Sequence, residues 1–161
     1  MISHAKMLWL AAFGVLVVAF VSCGASSQRS EPVQVAGIAM EPALKKGDRI
    51  LVTTDVRNLK RGDIVTYYYP FDETQRFISR IVALPNEEIE IRDGNVFIDG
   101  NQLTETYVAS ENSRALSNRA KTRIPVDRFF VLGDNRDNSN DSRAWGPLQK
   151  KFIYGKFLRK Y

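Results

Sequence analysis

The sequence predicts an all-β domain behind an apolar N-terminal segment. Three observations lead there. β-Branched and aromatic residues gather in short runs, Gly-Asp and Asp-Gly pairs punctuate those runs, and no stretch after residue 30 keeps the apolar period of a long amphipathic helix. Of the 161 residues, 44% are apolar and 25% charged, a balance that excludes disorder throughout and permits one sizeable core.

The first element is the run MLWLAAFGVLVVAFVSCGA, Met7 to Ala25, preceded by His4 and Lys6. It is long enough to cross a bilayer as a helix, and a short basic flank ahead of it is the pattern of an export signal. Residues 1–25 are therefore expected to form a signal anchor (an N-terminal membrane helix) or a lipoprotein signal peptide, with the rest of the chain delivered across the membrane. Cys23, the only cysteine, stands where the run ends, after Ser22 and before the polar GASSQRSEP. That arrangement is similar to a bacterial lipoprotein processing site, where the cysteine is lipidated, although Phe20 stands where Leu is usual. A plain signal anchor is the alternative, and either one attaches the domain to a membrane. A single cysteine forms no internal disulfide. Residues 26–34 read as a polar tether, and residues 35–161 as the domain.

Strands follow. RILV (Arg49 to Val52) and DIVTYYY (Asp63 to Tyr69) are introduced by KKGD at Lys45 and KRGD at Lys60. In both, Gly and Asp supply the turn that reverses the chain into a strand. EIEIRDGNVFIDGNQL, Glu88 to Leu103, alternates apolar and polar residues on both sides of Asp93-Gly94, with Asp99-Gly100 as a second turn. It reads as a β-meander. Thr104 to Thr122 is polar and without period, and is expected to be a loop or insertion. RFFVLGD, Arg128 to Asp134, returns to strand character, and Gly133 ends it.

The net charge of +5 is spread along the chain and interleaved with acids. Such a pattern suits anionic lipid headgroups at least as well as nucleic acid, and no nucleic-acid-binding motif is present. Tyr67 to Tyr69 read as a half-buried strand, the tail KKFIYGKFLRKY (Lys150 to Tyr161) as a segment able to meet a lipid interface, and Trp145 as core. With one His and one Cys, no metal and no organic cofactor is implied.

Three segments, in order, resemble the successive boxes of the signal peptidase I family, the membrane-bound serine proteases that remove signal peptides from exported proteins. They are GIAMEPALKKGD from Gly37, RFISRIVALPNEEIEI from Arg76, and FFVLGDNRDNSNDSRAWG from Phe129. The resemblance runs from Val35 to Lys156, and its most specific box is Gly133 to Ser139, followed by Asp141-Ser142-Arg143 and Trp145-Gly146. It implies a core of coiled antiparallel sheets with a small β subdomain inserted over residues 86–124.

The resemblance also implies a Ser/Lys dyad. A serine hydroxyl is a weak nucleophile until a base takes its proton, and burial keeps a lysine neutral enough to be that base. The family's nucleophile precedes Met-x-Pro, whose turn offers a backbone N–H to the oxyanion. Here Met40 and Pro42 supply that pair, Gly37 the small residue ahead of it, and Ala39 the nucleophile's place. Arg80 and Leu84-Pro85 fix the second box and put Ser79 where the lysine should stand. Both dyad positions are vacated, and Ile38, Glu41 and Ala43 bring no hydroxyl if the frame slips. Removing the nucleophile from a serine protease of another fold costs on the order of 10⁶ in kcat.

In the third box the resemblance assigns Ser139 to bond the lysine, and Asp141 with Arg143 to brace the loop that also carries Asp134. With no lysine at position 79, Ser139 is expected to bond Ser79 or a water. A self-bonded turn is the plainer reason for so many Asp and Asn side chains. Three functions follow. The first is a non-catalytic homologue on the periplasmic or extracellular side of a bacterial membrane, engaging exported preproteins, signal peptides or an active family partner. The others are a serine endopeptidase using Ser79, with a nearby lysine such as Lys45 or Lys46 as base, or another unanticipated nucleophile, and a structural envelope lipoprotein.

Overall fold

The computed structural model describes residues 29–112 and 117–161. Cys23 and the apolar N-terminal run lie outside them. Among the described residues no helix is long and apolar enough to cross a membrane.

The architecture is antiparallel β throughout. The strands are β1 (Ser30–Gln34), β2 (Arg49–Thr53), β3 (Ile64–Tyr69), β4 (Asp72–Ala83), β5 (Glu88–Arg92), β6 (Asn95–Ile98), β7 (Asn101–Gln102), β8 (Arg119–Arg123), β9 (Arg128–Leu132), β10 (Leu148–Gln149) and β11 (Ile153–Lys160). A seven-stranded sheet has the order β1-β2-β11-β3-β4-β9-β10, and a four-stranded sheet the order β7-β6-β5-β8. The smaller sheet interrupts the chain between β4 and β9. A single turn of α-helix, α1 (Ser142–Trp145), follows β9.

Local chemistry explains the turns. In KKGD and KRGD the glycines take φ of 92° and 90°, which L side chains rarely adopt. The aspartates close the same turn twice: Asp48 accepts from the Lys45 N–H and Asp63 from the Lys60 N–H, each at 2.8 Å. Asp93 and Gly94 take φ of 49° and 77°, the two positive values that join β5 to β6 in a tight hairpin.

Two strands lie where the sequence suggests none. Ser30–Gln34, read as tether, pairs residue by residue with β2. Arg119–Arg123, read as loop, pairs with β5. Both are polar and largely exposed, so they carry no alternation; the partner's backbone groups supply the reason to be extended.

Three apolar clusters form the core. Val65, Tyr67, Ile81, Val131, Leu148 and Ile153 fill one face of the large sheet, with Trp145 packed against them. Val35, Met40, Leu44, Ile50, Val52 and Ile64 fill another. The third joins Val82, Phe130 and Leu132 of the large sheet to Ile89, Ile91 and Val96 of the small one, so the two sheets share one interior.

Candidate functional site

The segment from Gly37 to Leu44 forms a turn nailed down by Met40 and Leu44, each 1% exposed. Burying two such side chains contributes roughly 1.5–3 kcal/mol apiece. Between the exposed Gly37 and Met40, Ala39 is held by its backbone. Its carbonyl accepts from the Asn135 N–H at 2.9 Å. Gly133 makes that approach possible, because a Cβ there would lie 2.6 Å from the Ala39 oxygen and would also collide with the Ser139 side chain. Pro42 is exposed beyond the turn.

Ser79 sits in β4 opposite Val65 of β3 and is 2% exposed. Its hydroxyl shares a 3.0 Å hydrogen bond with the Tyr67 hydroxyl. Of the two partners expected for Ser139, Ser79 or a water, Ser79 is instead bonded to Tyr67: alternation along β3 puts Tyr67 on the same face as Val65, within reach of position 79. Burial pushes the Tyr67 phenol well above its usual range, with the Ser79 bond pulling weakly the other way. A phenol held neutral is no base at neutral pH, so the pair is chemically quiet.

The Gly133–Arg143 loop is saturated with bonds. Asp141 Oδ1 accepts from Arg143 N–H at 3.1 Å and Arg143 Nε at 2.8 Å, and its Oδ2 from Gly133 N–H at 3.1 Å and Arg143 Nη2 at 2.9 Å. Arg143 also donates to the Arg136 carbonyl at 2.7 Å, and Arg136 to the Gly133 carbonyl at 2.9 Å. From the inserted region, Glu105 accepts from Arg136 at 2.6 Å. The Ser142 hydroxyl accepts from the Val131 N–H at 3.0 Å. Arg80 makes a forked pair with Asp134, at 2.8 and 2.6 Å, and donates to the Gly62 carbonyl at 2.8 Å. Burial pushes the Asp134 carboxyl up from the ordinary carboxylate range, and the Arg80 guanidinium pulls it back. Tyr107 lies beneath that guanidinium, 4.1 Å from ring centre to carbon.

One cleft of about 530 Å³ brings Ala39, Ser79 and Ser139 together. Its walls come from residues 32–37 on one side and 76–79 on the other, with Tyr154 between. Beyond Arg80, β4 is paired on its second edge by β9; before it, the β4–β9 pairing does not extend. Among the described lining residues there is no Lys, His, Asp or Glu. Lys45 and Lys46 are exposed on the turn after Leu44 and do not line the cleft, so the expectation of either as a base for Ser79 is not met. Among the described lining residues, the hydroxyls of Ser79 and Ser139 stand without a lysine, histidine or carboxylate beside them in the cleft.

Trp145 belongs to the core, its ring 6.1 Å from Tyr67 and 6.3 Å from Tyr69. Sequence reasoning misses three residues at the site: Tyr67, which occupies Ser79; Gly133, whose missing Cβ admits the Ala39 carbonyl; and Arg76 on the cleft wall. The first two depend on strand register and loop packing, for which one sequence carries no signal. Arg76 is visible only as a basic residue in a strand.

The family described as Signal peptidase, peptidase S26, matches residues 6–161. A Synechocystis sp. protein named "Probable signal peptidase I-1" is 34% identical over 142 residues, covering 82% of this chain and 71% of its own. Signal peptidase I of Bacillus amyloliquefaciens is 33% identical over 135 residues, covering 77% and 71%. The crystal structure of a signal peptidase I from Enterococcus faecalis superposes with a TM-score of 0.54 at 30% identity. It matches 65% of this chain and all of its own.

Proposed function

The chain belongs to the signal peptidase S26 family, and we propose that within it this member binds without cutting. Its ligand is an extended segment of an exported preprotein or its signal peptide, held in the cleft between residues 32–37 and 76–79. The relatives are named for signal peptidase activity, and the cleft described above has room for the same class of ligand. The domain acts at a bacterial membrane, facing the periplasm or exterior and attached through residues 1–25. An active family member is a natural partner, since a held preprotein must be cleaved elsewhere.

One observation carries this reading: the positions of the dyad, Ala39 and Ser79, open onto one cleft whose described lining offers no amine and no carboxylate. An alanine methyl forms no acyl intermediate. A serine endopeptidase working through Ser79 is disfavoured because its hydroxyl is buried and bonded to a neutral phenol.

The test uses the full chain in detergent with a preprotein. Retention of the preprotein on the immobilised chain, with no shortened product, is the expected result. Processed product that vanishes in Ser79→Ala or Ser139→Ala would overturn the reading. Neither retention nor processing would leave the envelope-scaffold alternative standing in its place.

A further inference from the structure

We propose that the cleft selects peptides carrying a carboxylate, and that Arg76 is the side chain that receives it. This rests on the peptide-holding role above and adds the chemical class of the ligand. Arg76 is the one charged side chain among the described residues lining the cleft. The rest of the lining is uncharged: apolar side chains such as Val33, Phe77 and Ile78, with Gln34, Ser79, Ser139, Asn140 and Tyr154 as the polar ones.

Arg76 is also pre-positioned. Its guanidinium carbon lies 5.7 Å from the centre of the Tyr68 ring and 5.6 Å from that of Tyr154. Those rings are themselves 4.8 Å apart. Stacking engages the face of a guanidinium and leaves its in-plane N–H donors for a planar acceptor, the geometry that suits a carboxylate. Arg80, Arg136 and Arg143 each have an acidic partner, whereas no ion pair among the described residues includes Arg76. Glu31 of β1 is near enough to Tyr154 to add to the upward shift that burial gives that phenol. A neutral extended peptide would satisfy the walls and leave this cation unanswered. A peptide with an acidic side chain, or with its own C-terminal carboxylate in the cleft, would answer both.

The experiment measures fluorescence anisotropy of the full chain in detergent against fluorescein-labelled extended peptides of Ala, Ser and Val. One arm walks a single Glu, with matched Gln controls, through the peptide. The other compares a C-terminal free acid with the amide, and so separates the two sources of carboxylate. In one arm the acid is expected to bind about threefold to fivefold tighter than its control, the size of an exposed ion pair. Arg76→Gln should erase that gap, read as acid against control within the variant. Arg76→Lys should keep part of it. Binding of the uncharged peptide with no preference in either arm, or a preference that survives Arg76→Gln, overturns the inference and leaves the peptide-holding role intact. Failure of every peptide to bind overturns both. Should Arg76→Gln misfold, the acid-to-control gap in the parent and its shrinkage with added salt decide the matter, and no gap is a negative result.

Discussion

The Gly133–Arg143 loop and the reaction centre beside it have opposite characters. In the loop nearly every charge is answered: Asp141 alone accepts four hydrogen bonds, and Arg136 reaches from the Gly133 carbonyl to Glu105 in the inserted region. A few ångströms away, Ala39 presents a methyl, and Ser79 is spent on Tyr67. The bracing and the two positions aligned with the dyad thus rest on different side chains. The bracing ties the loop to β4, β9 and the inserted region through side chains other than those at positions 39 and 79, and touches Ala39 only through its backbone carbonyl.

The largest effect that would break this contrast is a gain of activity. If the brace alone keeps the cleft in shape, Ala39→Ser combined with Ser79→Lys should process a preprotein on the order of 10³-fold or more above the parent. Each single change should stay at background, since a nucleophile and its base act as a unit. A lysine at a site 2% exposed would have its pKa lowered by lost hydration, as a base requires. An inert double variant, folded by circular dichroism, would show that the cleft has drifted from catalytic shape.

Next in size is the brace itself. Asp141→Ala leaves Arg143 without its carboxylate and the Gly133 N–H without an acceptor; denaturant unfolding should register a loss of about 3–5 kcal/mol. Gly133→Ala drives a Cβ against the Ala39 carbonyl, and since backbone yields little, about 2–3 kcal/mol should follow. A loss near zero in either would mean the loop is looser than its bonds suggest.

The reaction centre should respond less. Ser79→Ala leaves a buried Tyr67 hydroxyl without its partner, a destabilisation of about 1–2 kcal/mol. Tyr67→Phe on top of it should recover most of that loss. Additive losses in the double variant would assign the two hydroxyls other partners.

The smallest effect lies at the exposed turn before β2. A hydrogen bond from Lys160, then one from the Lys45 N–H, holds the Asp48 carboxyl below its ordinary range. A depressed folded value means stability present above the ordinary carboxylate pKa and lost as pH falls through the lowered one. Thermal melts of Asp48→Asn should show a shallower decline over that acid interval than the parent.

These contrasts also explain what a single sequence discloses. KKGD and KRGD are legible because the bond from the Lys N–H to the Asp carboxylate that closes each turn lies within the tetrapeptide. The Asp93-Gly94 hairpin is legible because the positive φ its turn needs belongs to those two residues. The strands Ser30–Gln34 and Arg119–Arg123 are not, because pairing to β2 and β5 is what extends them. At the site, the reading of positions 39 and 79, and of Asp141 with Arg143 as a pair, comes from the resemblance of the three boxes to the family; the structure shows the Asp141–Arg143 pair. The Tyr67–Ser79 bond spans two strands and needs their register. So does the cleft, where β1, read as tether, contributes a wall.

The shared interior of the two sheets bears on how such a chain can vary. Val82, Phe130 and Leu132 rest against Ile89, Ile91 and Val96, so excising the smaller sheet would strip the larger one and bare an oily scar. Its outward residues are free to wander; its underside is not. The appendage is a keystone, and the molecule should melt as one body.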